Sequence, residues 1–197
     1  MSNSEMEWLV RAQDGDDEAF TNLVTTYQNP VYNLCYRMLG DSQEAEDAAQ
    51  ETFWRAFQAI RRYDINRPFA TWLLSIAAHY CIDQLRKRRM TFLSMDALPH
   101  LDPPDPSPGP ETAFHLHEAQ GRVESLLKTL NPQDRAAVIM YYWYDFSYEE
   151  IAKTLSFTIS AVKSRLHRAR LALAQTWTEQ ETNKFAKERK PHESPAF

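Results

Sequence analysis

Glycine and cysteine are both scarce in this 197-residue chain, with four of the first and two of the second. So few glycines, no sustained period-two alternation and long stripes of apolar residues at 3.6-residue spacing exclude a turn-rich β architecture and predict an all-α chain. Cys35 and Cys81 lie far apart inside apolar-periodic stretches and have no CxxC or Cys/His spacing. They are read as small buried hydrophobes, with no disulfide, no metal site and no cofactor implied. No apolar run approaches the roughly eighteen residues of a membrane span, and the opening MSNSEMEW has neither the basic flank nor the apolar core of an export signal. A cytoplasmic protein without membrane insertion is the expectation, and a hydrophobic content of 43% is ample for a real core.

Charge of one sign is also locally missing. The chain carries 22 basic and 27 acidic residues, a net charge of −5 that argues against indiscriminate binding to nucleic acid. Yet Arg61, Arg62, Arg67, Arg86, Lys87, Arg88 and Arg89 face only Asp64 and Asp83 between positions 61 and 90. From Ile151 to Thr178 stand Lys153, Lys163, Arg165, Arg168 and Arg170 with no acid at all. Two basic islands in an acidic chain imply two separate nucleic-acid contacts.

Between them runs PHLDPPDPSPGPE, residues 99–111, with six of the eleven prolines and no Lys or Arg. Proline stiffens the chain and cannot donate to a helix or sheet, so this stretch predicts a linker. The expected organisation is two small helical domains, 1–95 and 113–177, joined by a Pro-rich acidic linker over 96–112 and followed by a disordered tail over 178–197. In the first domain, helices are expected from Asp16 or Asp17 to Gly40 with a kink at Pro30, from Asp41 along a stripe ending in Phe57 and Ile60, and from Pro68 into DQLRKRR. The second has helices near 115–130 and from Pro132 to about Trp143. Then Ser147 and Glu150 form a capping-box pattern, a turn follows over 156–159, and a helix capped by Ser160 runs to about Gln175.

Two helices joined by so short a turn make a helix-turn-helix, whose second helix enters the major groove. On a helical wheel Val162, Leu166, Ala169 and Leu173 form the packing face. Ser160, Ala161, Ser164, His167 and Arg168 lie opposite, toward base edges, with Lys163, Arg165 and Arg170 flanking them toward phosphates. A solvated basic face is the plainer origin of such a charge run; the caps, the turn length and the absence of acids favour DNA.

Three stretches, EAEDAAQETFWRAF (44–57), FATWLLSIAAHYCIDQLRKRR (69–89) and SYEEIAKTLSFTISAVKSRLHRAR (147–170), resemble in order the sigma-70 family of bacterial RNA polymerase sigma factors, in its extracytoplasmic-function class. The resemblance implies a promoter-specificity subunit rather than an enzyme. It would bind the clamp helices of the beta-prime subunit of core RNA polymerase through Asp47, Gln50 and Glu51, with the exposed aromatic Trp54 beside them, and the beta flap through its second domain. Promoter DNA would be held at two places: duplex at the minus-thirty-five element on the helix-turn-helix, and the melted minus-ten strand on the first domain. For that strand Tyr63 and Asn66 are the base-contact candidates; Arg61, Arg62, Arg67, Arg86, Lys87, Arg88 and Arg89 are the phosphate candidates. His79 stands where the family usually has Asn, so its donor and acceptor pattern differs at a base-contact position; a partly buried spacer is the other reading. Trp72 and Tyr80 fall on the apolar stripe and are expected in the core. Family members are often held by an anti-sigma factor.

Two rivals remain on sequence alone. A stand-alone helix-turn-helix regulator explains the second domain and leaves the first without a role. A recombinase or nuclease would need a carboxylate or His cluster, and Asp47 with Glu51 on one helical face is weak support.

Overall fold

The helix boundaries of this chain follow from its capping residues. A computed structural model of the chain describes residues 3–95, 121 and 123–188, and every regular element among them is helical. The linker expected over 96–112 and the last residues, 189–197, lie outside the described residues, as does most of 113–122. Helix α1 spans Asn3–Gln13. It was not expected from the sequence, because its apolar content is short: Met6, Trp8, Leu9, Val10 and Ala12. Helix α2, Asp17–Leu39, opens where the Asp16 carboxylate accepts the backbone N–H groups of Glu18 and Ala19 at 3.0 and 3.1 Å. It ends at Gly40, whose φ of 73° is left-handed and whose N–H returns to the Tyr36 carbonyl. The helix runs continuously through Pro30, the position where a kink was expected.

Helix α3, Ser42–Ala59, is capped by Asp41, whose side chain accepts from the Glu44 N–H at 2.9 Å. A 3₁₀ turn at Ile60–Arg62 leads into a loop, and α4 follows over Phe69–Met95. Helix α5 is described over 123–129. Helix α6, Pro132–Trp143, has the expected Asn131 cap and Pro132 at its first position. Helix α7, Tyr148–Leu155, carries the complete capping box between Ser147 and Glu150. Helix α8, Ile159–Glu188, begins two residues earlier than the sequence suggested: the Thr158 hydroxyl, not Ser160, accepts the Ala161 N–H at 3.1 Å. It also continues past Gln175 to Glu188, where a disordered tail was expected from residue 178.

Helices α1 to α4 form the first module around Leu23, Leu34, Met38, Leu73 and Phe69, and α5 to α8 the second around Leu127, Ile139, Met140, Ile151 and Leu166. Both cysteines are free and buried, Cys35 on α2 and Cys81 on α4. Trp72 and Tyr80 are part-buried against the core. The two modules pack against each other. Helices α6 and α7 pack on α2 and α4, so that one continuous cluster of buried side chains runs through both. Polar bonds between the two sets of helices reinforce this. Arg135, only 6% exposed, donates to the carbonyls of Met38 at 2.6 Å and Lys128 at 2.9 Å. The Tyr144 hydroxyl donates to Pro30 O at 2.6 Å, and the Thr71 hydroxyl to Glu150 Oε1 at 3.1 Å.

Candidate nucleic-acid interface

On α8 the packing face is the one its spacing dictates: Val162, Leu166 and Ala169 are buried and Leu173 half-buried. Ser160, Ser164, His167 and Arg168 are exposed opposite, with Ala161 half-buried at the edge. Lys163 and Arg170 are exposed on the flanks; the Lys163 ammonium lies 5.5 Å from the centre of the Tyr148 ring. Arg165 departs from its expected role as a phosphate contact. Its guanidinium donates to Asp134 Oδ1 at 2.7 Å and lies 4.2 Å over the Phe157 ring. Asp134 is in turn held by Asn131, whose side-chain amide donates to Oδ2 at 2.6 Å. This chain of contacts ties the start of α6, the turn and α8 together, and it fixes the angle at which α8 is presented. The turn has its own strained point: Ser156 adopts φ 56° and ψ 45°, a conformation that favours glycine.

The second basic island is split between a loop and a helix. In the loop, the Asp64 carboxylate accepts both the backbone N–H and the side-chain amide of Asn66 at 3.1 Å and pairs with Arg67 at 3.4 Å. The Asn66 backbone N–H, then its side-chain amide, holds the Asp64 carboxyl below the usual range. Arg61, Arg62, Asn66 and Arg67 are exposed. Tyr63 is not: it is 5% exposed, with its ring 4.8 Å from that of Trp72 and 5.5 Å from that of Phe69, and its hydroxyl donates to the Arg67 carbonyl. Burial pushes its pKa up to about 12. The expectation that Tyr63 stacks on a base is therefore corrected. It is the floor of the loop, and sequence could not separate an aromatic that faces inward from one that faces outward in so short a segment.

On α4, positions 79 and 86 lie seven residues apart, almost two full turns, so His79 and Arg86 share one exposed face. Arg86 pairs loosely with Asp83 at 3.7 Å, and Lys87 and Arg89 are exposed beside it. His79 is exposed, which removes the buried-spacer reading. Its Nδ1 lies 2.8 Å from the Ser75 carbonyl, which can only accept, so Nδ1 carries the proton and Nε2 points outward as an acceptor in the neutral ring. Arg88 turns the other way and pairs with Glu44 of α3. It helps fix α4 to α3 instead of joining the exposed basic face.

A third surface lies on α3. Asp47 and Gln50 are exposed, and Glu51 is half-buried and paired with Arg55 at 2.7 Å. Trp54 is 57% exposed. Beside it stands Phe57, 41% exposed and stacked 6.2 Å from Trp54, although the sequence placed Phe57 on the inward stripe. The i, i+3 spacing of the two aromatics at the edge of that stripe was the signal for this patch. Among the described residues no cluster of His, Cys, Asp or Glu is arranged to hold a metal ion, and no helix is long and apolar enough to cross a membrane.

The comparisons agree with this layout. Residues 23–91 match the family Sigma-70 region 2, and residues 120–173 the family Sigma-70, region 4. The chain is 35% identical over 176 residues to the ECF RNA polymerase sigma factor SigW of Bacillus subtilis, covering 84% of this chain and 92% of that one. It is 31% identical over 182 residues to the RNA polymerase sigma-H factor of Pseudomonas aeruginosa, covering 86% and 91%. In fold it resembles CnrH, solved in complex with the cytosolic domain of CnrY, at a TM-score of 0.66 and 23% identity over 90% of this chain and 99% of that one. It also resembles the sigma factor RpoE from Bartonella quintana, solved with the anti-sigma factor NepR, at 0.65 and 22% over 81% and 96%. With both sigma regions present in order and full-length relatives at this identity, the chain belongs to the extracytoplasmic-function class of RNA polymerase sigma factors, the promoter-specificity subunits that bind core RNA polymerase and direct transcription initiation.

Proposed function

We propose that α8 reads the minus-thirty-five duplex with Ser160, Ala161, Ser164, His167 and Arg168, while Lys163 and Arg170 contact phosphates. Arg165 serves by holding α8 against α6. The loop 61–67 and the outer face of α4 take the melted minus-ten strand: Asn66 and His79 meet bases, and Arg61, Arg62, Arg67, Arg86, Lys87 and Arg89 meet the backbone. Because His79 offers an outward acceptor in the neutral ring, it suits a base edge that carries an amino or imino N–H. Asp47, Gln50, Glu51 and the Trp54–Phe57 pair dock on the polymerase clamp, and the second module meets the beta flap. The polymerase performs all bond making, in the cytoplasm. An anti-sigma factor, as in the solved complex of RpoE with NepR, is a further partner.

This work also requires the modules to separate. The two promoter elements lie about twenty-five base pairs apart, or about 85 Å of duplex. A compact chain of this length has a radius of gyration of about 16 Å, too small to reach both. The roughly twenty-five residues between the modules span at most about 85 Å when extended, so the linker suffices once the interface opens.

The observation that carries the reading is the outer face of the first turns of α8, acid-free from Ile159 to Thr178 and presented on a helix-turn-helix. Run-off transcription with core polymerase on a promoter library tests it. New start sites are expected only when the chain is present, and their absence would refute the assignment. Tight, specific operator binding by the chain alone would instead favour the stand-alone regulator.

A further inference from the structure

Helix α1 lies outside the residues 23–91 that match sigma region 2, yet it touches the loop proposed for the minus-ten strand. Leu9 and Ala12 bury one side of it in the core. At its last residue, Gln13, the side-chain amide nitrogen donates to two carbonyls of the segment that opens the loop: Ile60 O at 3.0 Å and Tyr63 O at 2.7 Å. These bonds cross 47 and 50 residues of sequence and use both amide hydrogens. The turn after α1 is itself fixed. Arg11 pairs with Asp16 at 2.7 Å, and Asp16 caps α2. Gly15 holds a left-handed φ of 96° next to Arg61, whose guanidinium would lie in ordinary contact, 3.4 Å, with a Cβ at that position.

We infer that Gln13 is a positioning residue for minus-ten recognition. It clamps the backbone on both sides of Arg61 and Arg62, so that the loop is already shaped when the melted strand arrives. The argument is one of preorganisation. A loop that must order itself around each base spends part of its discrimination on ordering, whereas one held by two donors from a buried helix does not. The two bonds contribute to stability as any such bonds do, but they act on the loop backbone itself, so their loss is read at the minus-ten bases and not at the minus-thirty-five bases. This inference rests on the reading of loop 61–67 as the strand-binding loop.

The test uses holoenzyme assembled from core polymerase and the full chain, with open-complex formation measured on two promoter panels, one varied at the minus-ten bases and one at the minus-thirty-five bases. Gln13→Met keeps the length of the side chain and removes both donors. It should compress minus-ten discrimination by about three- to tenfold, as expected for one or two lost hydrogen bonds, and leave minus-thirty-five discrimination unchanged. Asn66→Ala, in the loop itself, reports on the underlying reading. If Asn66→Ala flattens the minus-ten panel and Gln13→Met does not, the clamp is wrong and the loop reading stands. If neither changes it, the loop reading falls and the clamp with it. A uniform loss over both panels with Gln13→Met would mean a stability role alone and overturn the inference. Should that variant not fold, Gln13→Lys and Gln13→Glu decide: the ammonium can donate to the two carbonyls and keeps discrimination, the carboxylate cannot and loses it. Equal profiles for the two overturn the clamp.

Discussion

The guanidinium of Arg135, on α6, donates at 2.6 Å to the carbonyl of Met38, in the last turn of α2. A cation placed at a helix C-terminus is favourable, and the same group also holds the Lys128 carbonyl near the end of α5. It is nonetheless a costly arrangement. Burial and the neighbouring Arg88 hold the Arg135 pKa below its ordinary value, and Nε has no hydrogen-bond partner. The desolvation of a buried, incompletely paired charge offsets part of what its hydrogen bonds contribute to the interface.

The first prediction follows from that closed packing. Tyr144→Phe removes only the bond to Pro30 O and leaves each module intact. It should shift the closed-to-open balance by about fivefold, the worth of one neutral hydrogen bond. Small-angle scattering should show a larger radius of gyration for the free chain. No change in scattering would mean that this bond adds nothing to the closed state.

Arg165 and Arg170 should behave differently, although both look like phosphate contacts in sequence. Arg165 and Asp134 are largely buried, with side chains 26% and 13% exposed. Arg165→Ala should lower unfolding stability by about 1–2 kcal/mol and leave the salt dependence of promoter binding unchanged. Arg170→Ala should reduce the salt slope by about one with little effect on stability. A reduced slope for Arg165→Ala would return that residue to the phosphate contacts.

Ser156→Gly relieves a left-handed backbone angle in the recognition turn. A gain of about 1 kcal/mol is expected, raising the melting temperature by about 2–4 °C, with minus-thirty-five preference unaltered. Calorimetry and the promoter panel check the two halves of this statement separately.

Glu150 gives a pH dependence of known sign. Burial pushes its pKa up, but the Ser147 N–H and hydroxyl and the Thr71 hydroxyl outweigh this and hold it below the usual carboxylate range. With the folded value depressed, the unfolded chain takes up the proton first as pH falls. The stabilising contribution is therefore complete above the unfolded pKa of about 4.3 and fades as pH drops through the lower folded value. Glu150→Gln should be less stable than the parent at neutral pH, and the two should converge in acid. Unfolding curves that stay parallel down to about pH 3 would contradict this.

The sequence by itself determined the helical class, most helix boundaries and the inner and outer faces of α8. Those depend on local chemistry: a capping side chain acts within three residues, and an apolar stripe reports its own face through the helical period. Tyr63, Phe57, Arg88, Arg165 and Gln13 were decided elsewhere. Each takes its role from a group distant in sequence or from a loop whose direction no period constrains, such as Glu44 for Arg88, Asp134 for Arg165 and Ile60 with Tyr63 for Gln13. The docking of the two modules belongs with them. A proline-rich linker announces two units, but whether their faces meet depends on shapes and carbonyl positions, such as Met38 O beneath Arg135, that exist only once both units have folded.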